Sequence, residues 1–480
     1  MTRRPPLPAT FGLRLDAAVR RTDGGRALVG GSPLRILRLR PAGVDALTRW
    51  ERGEPVGTGS GARLARRLVD ADIAHPVPVA ASAPPADVTV VIPVRDDPGG
   101  VATTVAAVRR DAPGLAVVVV DDGSDPPVGQ RLPRDVTVIR RAGSGGPGPA
   151  RNDGLATVST DLVLFVDAGV EPSAGWFDSL VAHLADEAVV AVAPRIRSVP
   201  GPSVRERYET ANSPLDLGPA PARVQPRARV SYVPTACLLA RTAAVRAAGA
   251  FDSGLRYGED VDLVWRLVAA GGTVRYEPGA EATHPPRGSW PAWARQRVGY
   301  GSAAAPLATR HPGAVPPAAV SAWSAAAWLL VATGRPMRGV GVAAASTAML
   351  PRRLSGMDDP EREAVRLAGW GHVLAGRVLA AGITRAWWPV VAALAVRSRR
   401  ARLVLAAAAV VPPLLEWRSQ RPPLDPVRYA ALRVADDVSY SVGLWRGSLA
   451  QRSIAALLPD LSNWPGRRRA VERIGPRRRP

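Results

Sequence analysis

The sequence contains no lysine, so all 63 of its basic side chains are arginine. It contains a single cysteine, Cys237. One thiol excludes an intramolecular disulfide and a thiolate metal cluster, and it fits a reducing cytoplasm. Aromatic residues make up only 5% and do not alternate with the basic ones. The stripe expected of a nucleic-acid surface is therefore missing, and no nucleic-acid partner is expected. No Gly-Lys-Ser/Thr occurs, so there is no Walker P-loop. The first strand–helix turn lacks Gly-x-Gly-x-x-Gly, which disfavours a nicotinamide or flavin enzyme. Met1 to Pro8 holds two arginines and then prolines, with no apolar stretch of the kind a secretory signal needs. Long hydrophobic runs are scarce as well. The segment Ala318 to Gly334 is free of charge, and Val340–Leu350, Trp387–Val396 and Leu403–Leu415 are shorter. None reaches the ~20 apolar residues of a confident membrane span, and Pro389, Pro412 and Pro413 interrupt two of them. Buried or interfacial helices are expected there.

What is present is ordinary globular material with a strong charge bias. The 480 residues are 46% hydrophobic and 22% charged, with a net charge of +22 and a pI near 11.4. Such a surface attracts polyanions, namely anionic lipid or phosphorylated ligands. The 46 glycines and 48 prolines, beside abundant alanine, point to a compositional bias that explains some of the arginine without function.

Three regions follow along the chain. Residues 1–80 read as a small α/β unit, with the run Gly30-Gly31-Ser32-Pro33 and a helical pattern from Gly61 to Ile73. The stretch Ala81–Asp87 reads as a linker. From residue 88 to 310, apolar β-branched runs alternate with helical patterns. Strands are expected at Thr89–Val94, Leu115–Val120, Val136–Ile139, Leu162–Val166, Val189–Ala193, Arg229–Arg241 and Val274–Tyr276. Helices are expected at Val101–Arg110, Ala150–Val158, Trp176–Leu184, Arg241–Ala248 and Asp260–Ala269. This is a doubly wound α/β sheet. Residues 311–480 read as a helical, apolar region.

Carboxylates recur where those strands end. Asp96 and Asp97 follow the first strand, Asp121 and Asp122 the second, and Asp167 the strand Leu162–Val166. In a parallel sheet these ends share the edge where ligands bind. One such aspartate is commonly a turn former or helix cap; three groups on one edge point to a shared site. The loop Gly143–Pro149 opens a helix, so its backbone N–H groups are placed to meet an anion. A second helix opens with Gly258-Glu259-Asp260-Val261-Asp262. Then come His284, Arg287, Trp290, Trp293 and Arg297, a rim of polar and aromatic side chains.

In order and spacing, several motifs resemble family 2 glycosyltransferases of the GT-A fold over roughly Thr89 to Arg310. They are Val-Ile-Pro-Val-Arg-Asp, Val-Asp-Asp-Gly-Ser at 120–124, Ala-Arg-Asn-Asp-Gly at 150–154, Phe-Val-Asp at 165–167 and Gly-Glu-Asp-Val-Asp-Leu at 258–263. The whole length resembles more narrowly the glycosyltransferases of the mycofactocin system. The N-terminal Gly-Gly-Ser-Pro unit, Ser-Pro-Leu-Asp-Leu-Gly at 213–218, Ser-Tyr-Val-Pro-Thr-Ala at 231–236 and the Trp/Arg segment carry that likeness. The N-terminal unit, 1–80, also loosely resembles winged-helix-like peptide-binding domains.

The resemblance implies an inverting hexosyltransferase. It would carry glucose from a nucleotide sugar such as UDP-glucose to a hydroxyl of premycofactocin, and it would build an oligosaccharide. It implies Asp260 as the base, with Glu259 beside it orienting acceptor or sugar. Asp96, Asp121, Asp122, Arg151, Asp167 and Arg297 would bind the nucleotide sugar, and Trp290 and Trp293 would stack on acceptor sugars. Asp167 and His284 would hold Mg²⁺ or Mn²⁺. One departure stands out: Gly169 occupies the third position of the family's Asp-x-Asp motif. Either Asp167 and His284 suffice, or Glu171 substitutes, or metal dependence is weak and Arg287 and Arg297 bear the diphosphate. Two other readings share these residues: an enzyme with a lipid-linked or cell-envelope acceptor, and a non-catalytic sugar-nucleotide or peptide-binding module. The expected site of action is the cytoplasm, at the inner face of the membrane if the C-terminal helices touch an anionic surface.

Overall fold

The computed structural model describes residues 4–79 and 87–461. All but the last residue of the expected linker, and the arginine runs Arg467–Arg469 and Arg477–Arg479, lie outside the described residues. The chain divides into two compact units, Met1–Trp293 and Ala294–Pro480.

The first unit is built on a mixed nine-stranded sheet. From edge to edge its strands run Glu171–Pro172, Thr273–His284, Val189–Ser198, Cys237–Arg241, Leu162–Val166, Val88–Val94, Ala116–Asp121 and Thr137–Arg140. A further short strand, Ala222–Val224, pairs with Thr273–His284. The last four strands of that order are mutually parallel. The apolar runs of the central strands follow from burial on both faces by helices; every residue of Val88–Val94 and Leu162–Val166 is buried, whereas the edge strand Thr137–Arg140 is largely exposed. Helix Pro147–Thr157 lies directly on this sheet because Gly154 has no side chain; a Cβ there would collide with Val91 and would stand 3.1 Å from Val120. Helix Pro98–Asp111 starts at Asp97, whose carboxylate caps the Gly100 N–H at 2.8 Å.

Three expected strands change their extent, and of these Val189–Ala193 continues to Ser198. Only Cys237–Arg241 of the segment Arg229–Arg241 joins the sheet. Pro234 has no N–H to give, and Arg229 turns away to Asp16 at 2.7 Å. Conversely, the last strand runs on from Tyr276 to His284, through Pro278 and Gly279, by means of a bulge opposite Pro194 and Arg195.

The N-terminal segment has its own core around Leu28, Leu47, Trp50, Leu68 and Ile73. It carries a three-stranded sheet (Arg20–Thr22, Ala27–Gly30, Arg35–Arg38), a strand pair (Gly12–Leu15 with Ala74–Val77) and two helices, Pro41–Glu51 and Gly59–Asp70. It belongs to the same compact unit as the large sheet. Arg223 and Arg275 stand opposite each other on adjacent strands, a repulsive pairing. Asp72 offsets it, attracting both guanidinium groups and accepting the backbone N–H of Arg223 at 2.9 Å, although burial still lowers both arginines. Arg66 reaches Asp186 at 2.6 Å, with both side chains buried.

The second unit is helical. It comprises Ala304–Arg310, Ala322–Ala332, Pro336–Ala348, a long composite helix Pro360–Arg397, then Arg399–Gln420 and Pro426–Ala450. Pro412 and Pro413 lie inside Arg399–Gln420 and do not end it, although each removes an N–H donor. Polar ties cross its interior: His372 accepts or donates at both ring nitrogens, to Ser324 (2.9 Å) and Ser346 (2.8 Å).

Removing one partner of a buried ion pair strands the other charge. Asp186→Ala is therefore expected to cost about 3 kcal/mol, whereas the double change Arg66→Met with Asp186→Leu should be near neutral. Urea denaturation of the three proteins measures both values, and equal midpoints for wild type and Asp186→Ala would refute the assignment.

Candidate active site

The parallel strands deliver their C-terminal ends to one edge, and Asp96, Asp121, Asp122 and Asp167 arrive there as the sequence implies. His284 ends a strand that runs parallel to Val189–Ser198 and reaches the same edge. At the centre stands Arg151, on the helix after the glycine loop and fully enclosed. Its Nη2 donates to Asp167 Oδ1 at 2.6 Å and its Nη1 to Glu259 Oε1 at 2.9 Å. Its guanidinium also lies over the Phe251 ring, 5.4 Å from the centroid. Among the described residues its Nε–H has no partner. Arg151 was expected to face the nucleotide. Its burial at 3% exposure instead makes it the brace that holds two acids from distant segments together.

Glu259 and Asp260 open helix Glu259–Ala269, where Gly258 adopts φ +79° to turn the chain into the helix. Glu259 is buried beneath Arg151 and so does not itself orient acceptor or sugar, while Asp260 is half-buried. Burial, then the charge of Asp260, raises the Glu259 carboxyl to about 7 against the opposing pull of Arg151. Burial raises Asp260 as well, with Arg151 opposing and Asp167 adding to the rise. Two adjacent carboxyls with raised values do not both ionise readily.

Asp121 and Asp122 are turned toward the protein. Asp121 accepts from the Ser124 N–H (2.8 Å), the Val128 N–H (3.3 Å) and Arg140 (2.8 Å). Asp122 accepts from Ser144 (2.7 Å), the N–H groups of Gly145 and Gly146 (2.9 Å each) and Arg141. Burial alone would raise both carboxyls; these hydrogen bonds hold them below their ordinary range. The glycine loop does bind an anion, and that anion is Asp122 itself. Asp96 is exposed, with φ +54°, and accepts from the Asp125 N–H at 3.1 Å.

Near Asp167, His284 is half-buried and kept below its ordinary value first by burial. Its Nδ1 lies 2.7 Å from the Pro285 carbonyl. A carbonyl only accepts, so Nδ1 carries the proton and Nε2 keeps its lone pair. Arg287 is exposed beside it. Glu171 is exposed and stands opposite Thr283 on an edge strand. Among the described residues no group of three His, Cys, Asp or Glu side chains is assembled for a metal. Gly169 has a local reason: its φ is +86°, its N–H is held by Gly100 O (3.1 Å) and Thr104 Oγ1 (3.0 Å), and a Cβ would stand 3.4 Å from Pro285.

Two expected ligand-binding residues take structural roles. Arg297 lies in the second unit, buried, with its Nε on Asp436 at 3.2 Å. Trp293 is 3% exposed, donates to Glu209 at 2.7 Å and packs edge-on against Tyr208. Trp290 remains 44% exposed, with Arg205 over its ring and Trp293 packed edge-on at 5.7 Å. The sequence reading missed Arg140, Arg141 and Ser144. Their only signal was proximity to the glycine loop, which points equally well to a free anion site.

A sheet of this topology, with carboxylates gathered at its parallel strand ends, is that of the GT-A fold. The model of Glycosyl transferase family 2 matches residues 89–246. Two proteins of Mycobacterium tuberculosis, from strains CDC 1551 and H37Rv and each called pre-mycofactocin glycosyltransferase, are 40% identical to this chain over 474 residues. The match covers 95% of this chain and 98% of theirs. The chain belongs to this family of transferases, and the reading as a non-catalytic module is set aside. Among solved structures, a mannosyltransferase of Pyrobaculum calidifontis in complex with GDP-Man and Mn²⁺ aligns at 17% identity and TM-score 0.43, over 76% of this chain and 90% of that one. TarS of S. aureus aligns at 16% identity and TM-score 0.34, over 45% of this chain and 39% of that one.

An acid at 169 would have to adopt a left-handed backbone. Gly169→Asp is expected to lower stability by about 1–2 kcal/mol without strengthening divalent-ion binding. Thermal melts with and without Mn²⁺ check this, and a melt raised by Mn²⁺ in the variant alone would contradict it.

Proposed function

We propose that this chain is an inverting transferase that moves a hexose from a nucleotide sugar to a hydroxyl of premycofactocin, in successive additions. The name of its relatives supports that acceptor, and UDP-glucose is the proposed donor. The observation that carries the chemistry is the convergence of Asp167, Glu259 and Asp260 on buried Arg151. It puts a carboxylate with a raised proton affinity next to the strand-end crevice where a sugar diphosphate would lie.

In the proposed step the acceptor oxygen attacks the anomeric carbon from the face opposite the diphosphate. The bond from that carbon to the diphosphate oxygen breaks, and the leaving nucleoside diphosphate takes the electron pair. Asp260 takes the acceptor's proton. Glu259 acts through Arg151, fixing Asp167 and tuning Asp260. Asp121 and Asp122 shape the loops against which the nucleoside would rest, with exposed Asp96 at their margin. Trp290 offers an apolar face to an acceptor sugar.

Asp167 and His284 would hold Mg²⁺ or Mn²⁺. A carboxylate and an imidazole Nε2 lone pair fit a cation whose other positions belong to water and substrate phosphates. When bound, such a cation offsets the charge that grows on the leaving diphosphate. Arg287 would add positive charge at the same place. The inner face of the cell membrane is the proposed site of action, with the helical unit as the contact.

Asp260→Asn should lower kcat by about 10²–10⁴-fold while leaving donor affinity, measured by calorimetry, nearly unchanged; retained turnover would remove Asp260 as base. Transfer needs the Asp260 carboxylate, whose proton affinity burial raises, so kcat/KM should rise with pH along an acid limb that lies above the ordinary aspartate range. Glu259→Gln, which removes the neighbouring negative charge, should move that limb to lower pH, and an unmoved limb would contradict the coupling. Thorough chelation should abolish transfer, and full turnover in EDTA would sink the metal assignment. Mass spectrometry of premycofactocin and of a lipid-linked acceptor, each incubated with several nucleotide sugars, identifies donor, acceptor and number of additions.

A further inference from the structure

Positive charge is not spread evenly. From Ala294 to Pro480 the sequence holds 28 arginines against 10 acids, which is 18 of the 22 net positive charges. Within the described helices, part of it gathers at one end. The turn joining Ala322–Ala332 to Pro336–Ala348 lies against the turn joining Trp388–Arg397 to Arg399–Gln420; a Cβ on Gly334 would stand 3.0 Å from the Arg400 guanidinium. Together the two turns present Arg335, Arg338, Arg397, Arg399, Arg400 and Arg402, all exposed. No acid occurs from residue 322 to 348 or from 388 to 415. Aliphatic side chains stand among these arginines and face solvent: Leu329, Met337 (79% exposed), Leu394, Val396 (76%) and Leu403.

We propose that this paired-turn tip docks on an anionic phospholipid bilayer, with its aliphatic side chains in the acyl boundary and its arginines on headgroup phosphates. The proposal deepens the membrane part of the function proposed above and is independent of the transfer chemistry. A second copy is a poor occupant, because two-fold pairing would set six arginines against six. Nucleic acid is a poor occupant too, since the interleaved side chains are aliphatic and not the aromatic ones on which bases stack. The contact is monotopic. Helix Pro360–Arg397 is long and apolar enough to cross a membrane, with only 17% of its apolar window buried. Arg366, Arg377 and Arg385, however, leave no 20-residue window within it free of arginine.

Flotation of the full chain with vesicles tests this. Vesicles of phosphatidylglycerol and phosphatidylcholine should carry the protein at 0.1 M salt at least ~10-fold better than phosphatidylcholine alone, and raising the salt to ~0.5 M should weaken binding. Two variants, Arg397→Glu with Arg400→Glu and Leu394→Ser with Val396→Ser, should each cut partitioning by about tenfold or more at an unchanged melting temperature. The proposal is overturned by variants that float like wild type or by equal binding to both vesicle types. It is also overturned by a DNA duplex bound in place of vesicles, or by a dimer in light scattering that the Leu394/Val396 variant dissolves. Sugar transfer to soluble premycofactocin, read in the same samples, separates the two proposals, since its loss would count against the acceptor and not against vesicle binding.

Discussion

One buried cation organises the catalytic half of this protein. Arg151 sits between Asp167, at the end of a strand, and Glu259, at the start of a helix 108 residues further on. In a low-dielectric interior neither Arg151 nor Glu259 would be tolerated alone, and Asp167 stands part-exposed beside them. The arginine makes Glu259 compatible with burial, and the two acids fix the direction of the arginine. Asp260, one residue beyond Glu259, is positioned by the same arrangement. Its raised proton affinity follows from its surroundings, not from its type.

A second arrangement repeats this logic at the adjacent strand end. Asp122 fills the anion-binding loop that its own chain builds, and Asp121 gathers Ser124, Val128 and Arg140. Both loops are thereby held in one shape at the edge where ligands enter sheets of this kind. The N-terminal segment joins the same unit through charge as well. Asp72 lets Arg223 and Arg275 share adjacent strands, and Asp186 holds Arg66.

The parallel strands were legible because continuous β-branched runs such as Val88–Val94 have few alternatives to a sheet buried on both faces. The helix opening at Glu259 was legible from its glycine and its acids. Arg297 and Trp293 were misassigned for a shared reason. A polar or aromatic side chain close in sequence to a site looks the same whether it faces a ligand or a buried partner, and here the partners are Asp436 and Glu209. Gly169 looked like a lost ligand; its φ of +86° explains why a residue without a side chain stands there.

The sequence alone determined which residue types arrive at the strand ends, because continuous β-branched runs alternating with helical patterns mark the strands and the residues that follow them. Tertiary structure alone decided which carboxylates are free and which are spent. The partner of each charge lies far away in the chain: Glu259 for Arg151, Gly145 and Gly146 for Asp122, Asp436 for Arg297. Burial raises the proton affinities of Glu259 and Asp260, while hydrogen bonds from distant groups lower that of Asp122, and both exist only once the chain has folded.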